Sequence, residues 1–132
     1  METQSPYCKP GIQESNINPS TKENIWKIIF TVCKHFGAWT NDPDYLKNKS
    51  RSPELGTPRM VVIVLFHYLL AWKQTEATDY FGMTPAGFWY SRKKINEWYL
   101  FDKSFKGKID GIINEISQTE KQKEYLYRAI LD

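Results

Sequence analysis

From residue 20 onward, apolar residues recur three and four positions apart, the spacing that gathers side chains on one face of a helix. In "STKENIWKIIFTVCKHFG" the repeat is Ile25, Ile28, Ile29, Val32 and Phe36. Ser20 and Glu23 have the form of a capping box ahead of it, and Gly37 is a stop signal behind it. "NDPDYLKN" then predicts a short second helix, with Asp42 as cap and Pro43 in the first position, where a missing N–H costs nothing. The next segment, "TPRMVVIVLFHYLLAW", is ambiguous by periodicity, because its β-branched density suits a buried strand as well as a core helix. Its length, with Thr57 as cap and Pro58 in the first position, decides for a helix. Residues 74–81 predict a short helix, Gly82 a turn, and Thr84 with Pro85 the start of a helix over 85–98. Two further stripes follow, Ile109, Ile112, Ile113 and Ile116, then Tyr125, Leu126 and Ile130. The expected fold is all-α, a multi-helix bundle containing a helix-turn-helix.

Residues 1–19 break this rhythm. They are rich in Pro, Gly, Ser, Asn and Gln, cannot bury enough apolar surface to offset their ordering entropy, and read as a flexible arm. The expected organisation is that arm, a folded domain over 20–117, and a C-terminal helix in 118–132 packed on the domain or extending it. A chain of 132 residues, 41% hydrophobic and 15% aromatic, can bury one core. Trp26, Phe36, Phe66, Phe88 and Trp89 are expected there. In the helix over 85–98, Phe88, Ser91, Arg92 and Ile95 share one side, so Tyr90, Lys93 and Lys94 should face outward. Gly107 and Gly111 have the spacing that permits close helix approach.

Charge and candidate chemistry change this picture little. A net charge of +3 permits a polyanionic partner without requiring one. The longest apolar run, residues 60–66, is far short of the roughly 20 residues a membrane helix needs, and the N-terminus lacks the basic start and apolar stretch of a signal peptide. A cytoplasmic protein without a membrane partner is expected. Cys8 and Cys33 form no C-x-x-C pair, and Cys33 reads as a buried thiol. With His35 it makes too few ligands for zinc, and His67 belongs to no readable catalytic arrangement. The sequon at Asn48 would matter only in a secreted protein. No phosphate-binding G-x-x-x-x-G-K-[ST] loop occurs. Neither nucleotide, cofactor, metal nor enzymatic activity is expected.

Three segments in order, "NIWKIIFTVCKHFG", "YLKNKSRSPELGTPRMVVIVLFHYL" and "FGMTPAGFWYSRKKI", give the chain its resemblance. Over residues 24–116 it resembles the C-terminal DNA-binding domain of the bacterial replication initiator DnaA, a Trp-repressor-like helix-turn-helix. The resemblance implies duplex DNA as partner and a bacterial, nucleoid-associated location. It implies a basic-loop arginine at Arg51, flanked by Lys47 and Lys49. It further implies an arginine at the next helix start, Arg59, and a cationic pair, Lys93 and Lys94. Such residues grip phosphate and carry little sequence information.

The departures fall on the base readers. Met83, Thr84, Pro85, Ala86 and Gly87 stand where the family has Arg-Asp-His-Thr-Thr. Only Thr84 keeps a polar side chain there, expected to be engaged as a cap, and Ala86 can at most touch a thymine methyl. Tyr90, beside the lysines, is placed to stack on a base or sugar. Two functions follow: a DNA-binding module with phosphate-dominated, weak or altered specificity, or a retooled helical protein-interaction domain that presents Phe88, Trp89 or Tyr90 to a partner.

Overall fold

The computed structural model describes residues 19–42, 44–47 and 53–131, and all of their regular structure is helical. In chain order come α1 (Pro19–His35), a single 3-10 turn (Tyr45–Lys47), α2 (Pro53–Leu70), α3 (Gln74–Asp79), α4 (Ala86–Phe101), α5 (Lys103–Ile116) and α6 (Glu120–Leu131). The run at 60–66 lies wholly within α2, so the strand alternative is gone. None of the described helices is long and apolar enough to cross a membrane.

α2 is the hub of the bundle. Val61 through Phe66 are all buried, and the helix packs against α1, α3, α4 and α6. A helix that is apolar on every side has to be enclosed, which explains why its periodicity was uninformative. Phe66 anchors an aromatic cluster, with ring centroids 4.9 Å from Trp72, 5.3 Å from Tyr80 and 6.0 Å from Phe81. Burial of each such side chain contributes about 1.5–3 kcal/mol. α1 and α5 close one flank, their buried stripes running through Ile25, Ile28, Ile29 and Val32 and through Ile109, Ile112, Ile113 and Ile116. Cys33 is buried, and burial pushes its thiol up to about 11.

Several boundaries differ from expectation. α1 begins at Pro19, so Ser20 lies inside the first turn and not ahead of it. Its end is as expected. Gly37 has φ +87°, with Ala38 N–H bonded to the Cys33 carbonyl and Gly37 N–H to that of Lys34, the paired bonds of a left-handed glycine cap. Asp42 caps the next element through its carboxylate and the Asp44 N–H, but the element is one 3-10 turn, not a helix; Pro43 lies outside the described residues. α2 starts at Pro53, four residues before Thr57. Pro53 takes the first-position role, Pro58 is carried in the second turn, and the extra turn buries Leu55 and Pro58. The chain leaves α2 through Ala71 at φ +58°, and His67 Nδ1–H donates to the Trp72 carbonyl at 2.6 Å.

Four side chains expected in the interior stand outside it or at its edge. Trp89 is 57% exposed and Tyr125 is 50% exposed, while Trp26 and Phe36 are half-buried. Of the two glycines in α5, only Gly111 meets a neighbour. A Cβ there would fall 2.7 Å from His35 Cε1, whereas one at Gly107 would meet nothing within 4 Å. His35 in turn donates from Nε2 to Glu115 at 3.0 Å, and Lys34 pairs with the same carboxylate.

α6 packs on α4, α5 and α2 and is hydrogen-bonded to α4 and α5. Arg92 donates to the Ala129 carbonyl at 2.7 Å and to the Tyr68 hydroxyl at 3.1 Å, and Asn96 donates to the Leu131 carbonyl at 2.8 Å. These are carbonyls that a helix end leaves without an internal partner. Leu126 and Ile130 are buried beneath them. At the junction of α4, α5 and α6, the Tyr99 and Tyr127 hydroxyls donate to Asp110 Oδ1 at 2.7 and 2.8 Å, and Lys106 donates to Oδ2 at 3.0 Å.

Candidate nucleic-acid interface

α3, the turn over 80–85 and α4 form a short helix, a sharp turn and a longer helix in immediate succession. α3 is only six residues long, so its ends decide its stability. At the N-terminus the Lys73 N–H bonds the Glu76 carboxylate at 2.9 Å. At the C-terminus Gly82 adopts φ +68°, its N–H reaches the Asp79 carbonyl, and the Met83 N–H reaches that of Thr78 at 3.0 Å. This is the same glycine cap that ends α1. No side chain crowds Gly82, so glycine is needed for its backbone conformation and not for space.

Pro85 already has helical dihedrals, φ −57° and ψ −32°, and the Thr84 carbonyl accepts from the Gly87 N–H at 2.9 Å. Thr84 thus caps α4 through its backbone, whereas its hydroxyl was expected to do so. The inner face of α4 is Phe88, Ser91 and Ile95, all buried, with the Ser91 hydroxyl turned back onto the Gly87 carbonyl at 2.7 Å. That assignment turns the opposite face outward. It carries Ala86, Trp89, Tyr90 and Lys93, all exposed, with Lys94 at its margin.

The candidate residues fall into two groups. Thr84, Ala86, Tyr90, Lys93 and Lys94 share the outer side of α4 and the turn before it. Lys94 lies 3.6 Å from Glu97 and 5.7 Å from the centroid of Tyr90; Lys93 makes no ion pair among the described residues. Lys47 and Arg59 are tied into the fold instead. Lys47 sits 4.4 Å from the Tyr80 ring centroid and 3.3 Å from Asp44. Arg59 Nε donates to the Leu46 carbonyl at 2.8 Å, joining the 3-10 turn to α2, and burial lowers the guanidinium pKa. Lys49 and Arg51 lie outside the described residues. Trp89, expected in the core and given an outward role only in the protein-interaction alternative, is exposed. Its signal was present, since it stands three positions after Ala86 and four before Lys93, but a tryptophan at an apolar helical position reads first as core.

Among the described residues no three His, Cys, Asp or Glu side chains gather as metal ligands would. What fold and site define together is an all-helical bundle that presents one face of a helix, following a tight turn, with aromatic and cationic side chains. Among proteins of known function the chain is similar to the chromosomal replication initiator protein DnaA of Campylobacter jejuni. It is 33% identical over 98 residues to the proteins of subspecies jejuni and of subspecies doylei, covering 72% of this chain and 22% of each relative. The chain thus spans about a fifth of the length of the relatives it matches. No family model matches it, and no solved structure does.

Proposed function

We propose that the chain is a DNA-binding module related to part of the replication initiator, gripping the phosphate backbone of duplex DNA with little reading of base edges. The observation that carries this is the outer face of α4. Lys93 and Lys94 project there from the helix that follows the α3 turn, while its tip offers Pro85, Ala86 and Gly87, which have no side-chain donor for a base. A good bidentate base contact is worth about 1–3 kcal/mol of discrimination, so its absence leaves selectivity shallow. A bacterial, nucleoid-associated location and the absence of enzymatic activity belong to the same reading.

The test is a salt titration of binding to random duplex DNA. Each neutralised phosphate contributes a slope of about −0.9 in log affinity against log salt, so Lys93→Ala with Lys94→Ala should flatten the slope by about 1.8 and weaken all sequences alike. Undiminished binding in the folded double variant would remove α4 as the gripping helix. A gain-of-function arm replaces Met83, Thr84, Pro85, Ala86 and Gly87 by Arg, Asp, His, Thr and Thr. A side chain at Gly87 would press only on the terminal methyl of Met83, at 3.0 Å, and that residue is replaced too. The variant should prefer the initiator's binding box by about tenfold, on the order of one recovered base contact.

A second reading, a protein-interaction domain, draws on the exposure of Trp89 and Tyr90 on the same face. It predicts that no DNA form binds measurably at moderate salt.

A further inference from the structure

Trp89 and Tyr90 are exposed to 57% and 54%, on consecutive positions of the helix whose tip lacks base-reading donors. Exposed aromatic surface of this size in the middle of a functional face calls for a ligand with an apolar, flat surface of its own. Three features specify that ligand. Trp89 is braced from behind, its ring meeting the core residue Phe88 edge-to-face at 5.3 Å and 86°. A braced ring loses little freedom when something stacks on it. Lys94 lies 5.7 Å from the Tyr90 centroid, and Lys93 stands one helical turn beyond Trp89, so each ring has a cation within one turn. An aromatic platform flanked by cations complements a base flanked by phosphates. Bases in continuous duplex present only their edges to a groove, and the α4 tip has no side-chain donors to meet edges.

We infer that Trp89 and Tyr90 form a stacking platform for unpaired nucleobases, so that this face takes single-stranded DNA, or duplex with a locally opened strand, in preference to continuous duplex. This rests on the reading of α4 as a nucleic-acid interface and names the form of DNA that the interface favours. Stacking is tolerant of base identity, because every base has a π face, so the preference is for strand state and not for sequence. The two lysines supply the salt-dependent part of the affinity, and the two rings supply the part that distinguishes open from closed DNA.

The experiment compares the full chain on three labelled probes by fluorescence anisotropy: a short oligothymidine, a blunt random duplex, and that duplex with a central run of mismatches. Oligothymidine and the mismatched duplex should bind more tightly than the blunt duplex. Trp89→Ala should weaken those two by about five- to 150-fold, the range carried by one stacked base, while leaving the blunt duplex nearly unchanged. Trp89→Phe, which keeps a ring, should retain most of the affinity, and circular dichroism of both variants controls for folding. If all three probes bind equally and Trp89→Ala alters none, while Lys93→Ala with Lys94→Ala weakens all, the stacking inference is overturned and the phosphate-gripping reading stands. If no probe binds, both are overturned and the exposed rings are left to a protein partner.

Discussion

Alanine in place of Gly111 should fail to stabilise α5, although alanine in place of Gly107 should succeed. Both glycines lie in the interior of the same helix, where glycine costs about 1 kcal/mol relative to alanine. At Gly107 a Cβ meets nothing, so that gain should appear nearly in full. At Gly111 the Cβ would come within 2.7 Å of Cε1 and 2.9 Å of Nδ1 of His35, closer than carbon atoms approach without displacement. The His35 ring must swing, and its bond to Glu115 must stretch or break. Overpacking costs about 1–3 kcal/mol, the lower end applying to a ring at the free end of a partly exposed side chain. A surface ion pair adds less than about 1 kcal/mol. The two substitutions should therefore differ by about 1–2 kcal/mol, or about 4–8 °C in unfolding midpoint for a chain of this size. Thermal unfolding at neutral pH measures this, and a His35→Ala background isolates the cause. With the ring gone, Gly111→Ala should become stabilising by about 1 kcal/mol. Equal stabilisation at both positions with His35 present would refute the close approach of α1 and α5.

Asp110 makes acid sensitivity specific. Burial works to raise its carboxyl, but the hydroxyls of Tyr99 and Tyr127 and the ammonium of Lys106 outweigh it, and the group titrates below the ordinary range. Its stabilisation is thus complete above about pH 4 and is lost as pH falls through the depressed folded value. Asp110→Asn should flatten the acid limb of the stability curve, and an unchanged limb would count against the network. Asp110→Ala should cost about 1–3 kcal/mol in urea unfolding, because two half-buried tyrosine hydroxyls lose their acceptor. Cys33, with its thiol raised to about 11, should resist an aromatic disulfide reagent at pH 8 in a Cys8→Ser chain and react only when denatured; rapid reaction of the native chain would contradict its burial. Ala71→Gly should raise stability by about 0.5–1 kcal/mol, since it relieves a left-handed residue that is exposed and packs on little, and a loss of stability would refute that conformation.

The helices of this bundle were legible wherever one face is apolar, and their ends wherever a glycine turns left-handed, as at Gly37 and Gly82. The inner stripe of α4 was legible for the same reason: Phe88, Ser91 and Ile95 recur at three and four, and all three are buried. The start of α2 was not. Two prolines, Pro53 and Pro58, each fit a first helical position, and the choice rests on burial of Leu55, a tertiary fact. The exposure of Trp89 was hidden because composition speaks for burial and only the angular position speaks against it. The bond from Arg59 to the Leu46 carbonyl was not legible, because it spans thirteen residues and leaves no local trace. Gly107 and Gly111 were indistinguishable by spacing, since what separates them is a histidine on another helix.

The bonds from Arg92 and Asn96 to the final carbonyls of α6 make the two sides of α4 mechanically unlike. One side is bolted to the far end of the polypeptide, and only the other is available to a ligand. A fragment cut at Ser117 would keep every residue of the outer face yet lose the counterweight that fixes its angle, and would bare the surface now covered by Leu126 and Ile130. Hydrogen exchange should register this as shared fate. Amides of α4 from Arg92 to Asn96 should open together with those of α6, and independent opening of the two helices would show that the clasp carries no such coupling. The orientation of α4 would then be set by residues 35 to 37 positions downstream.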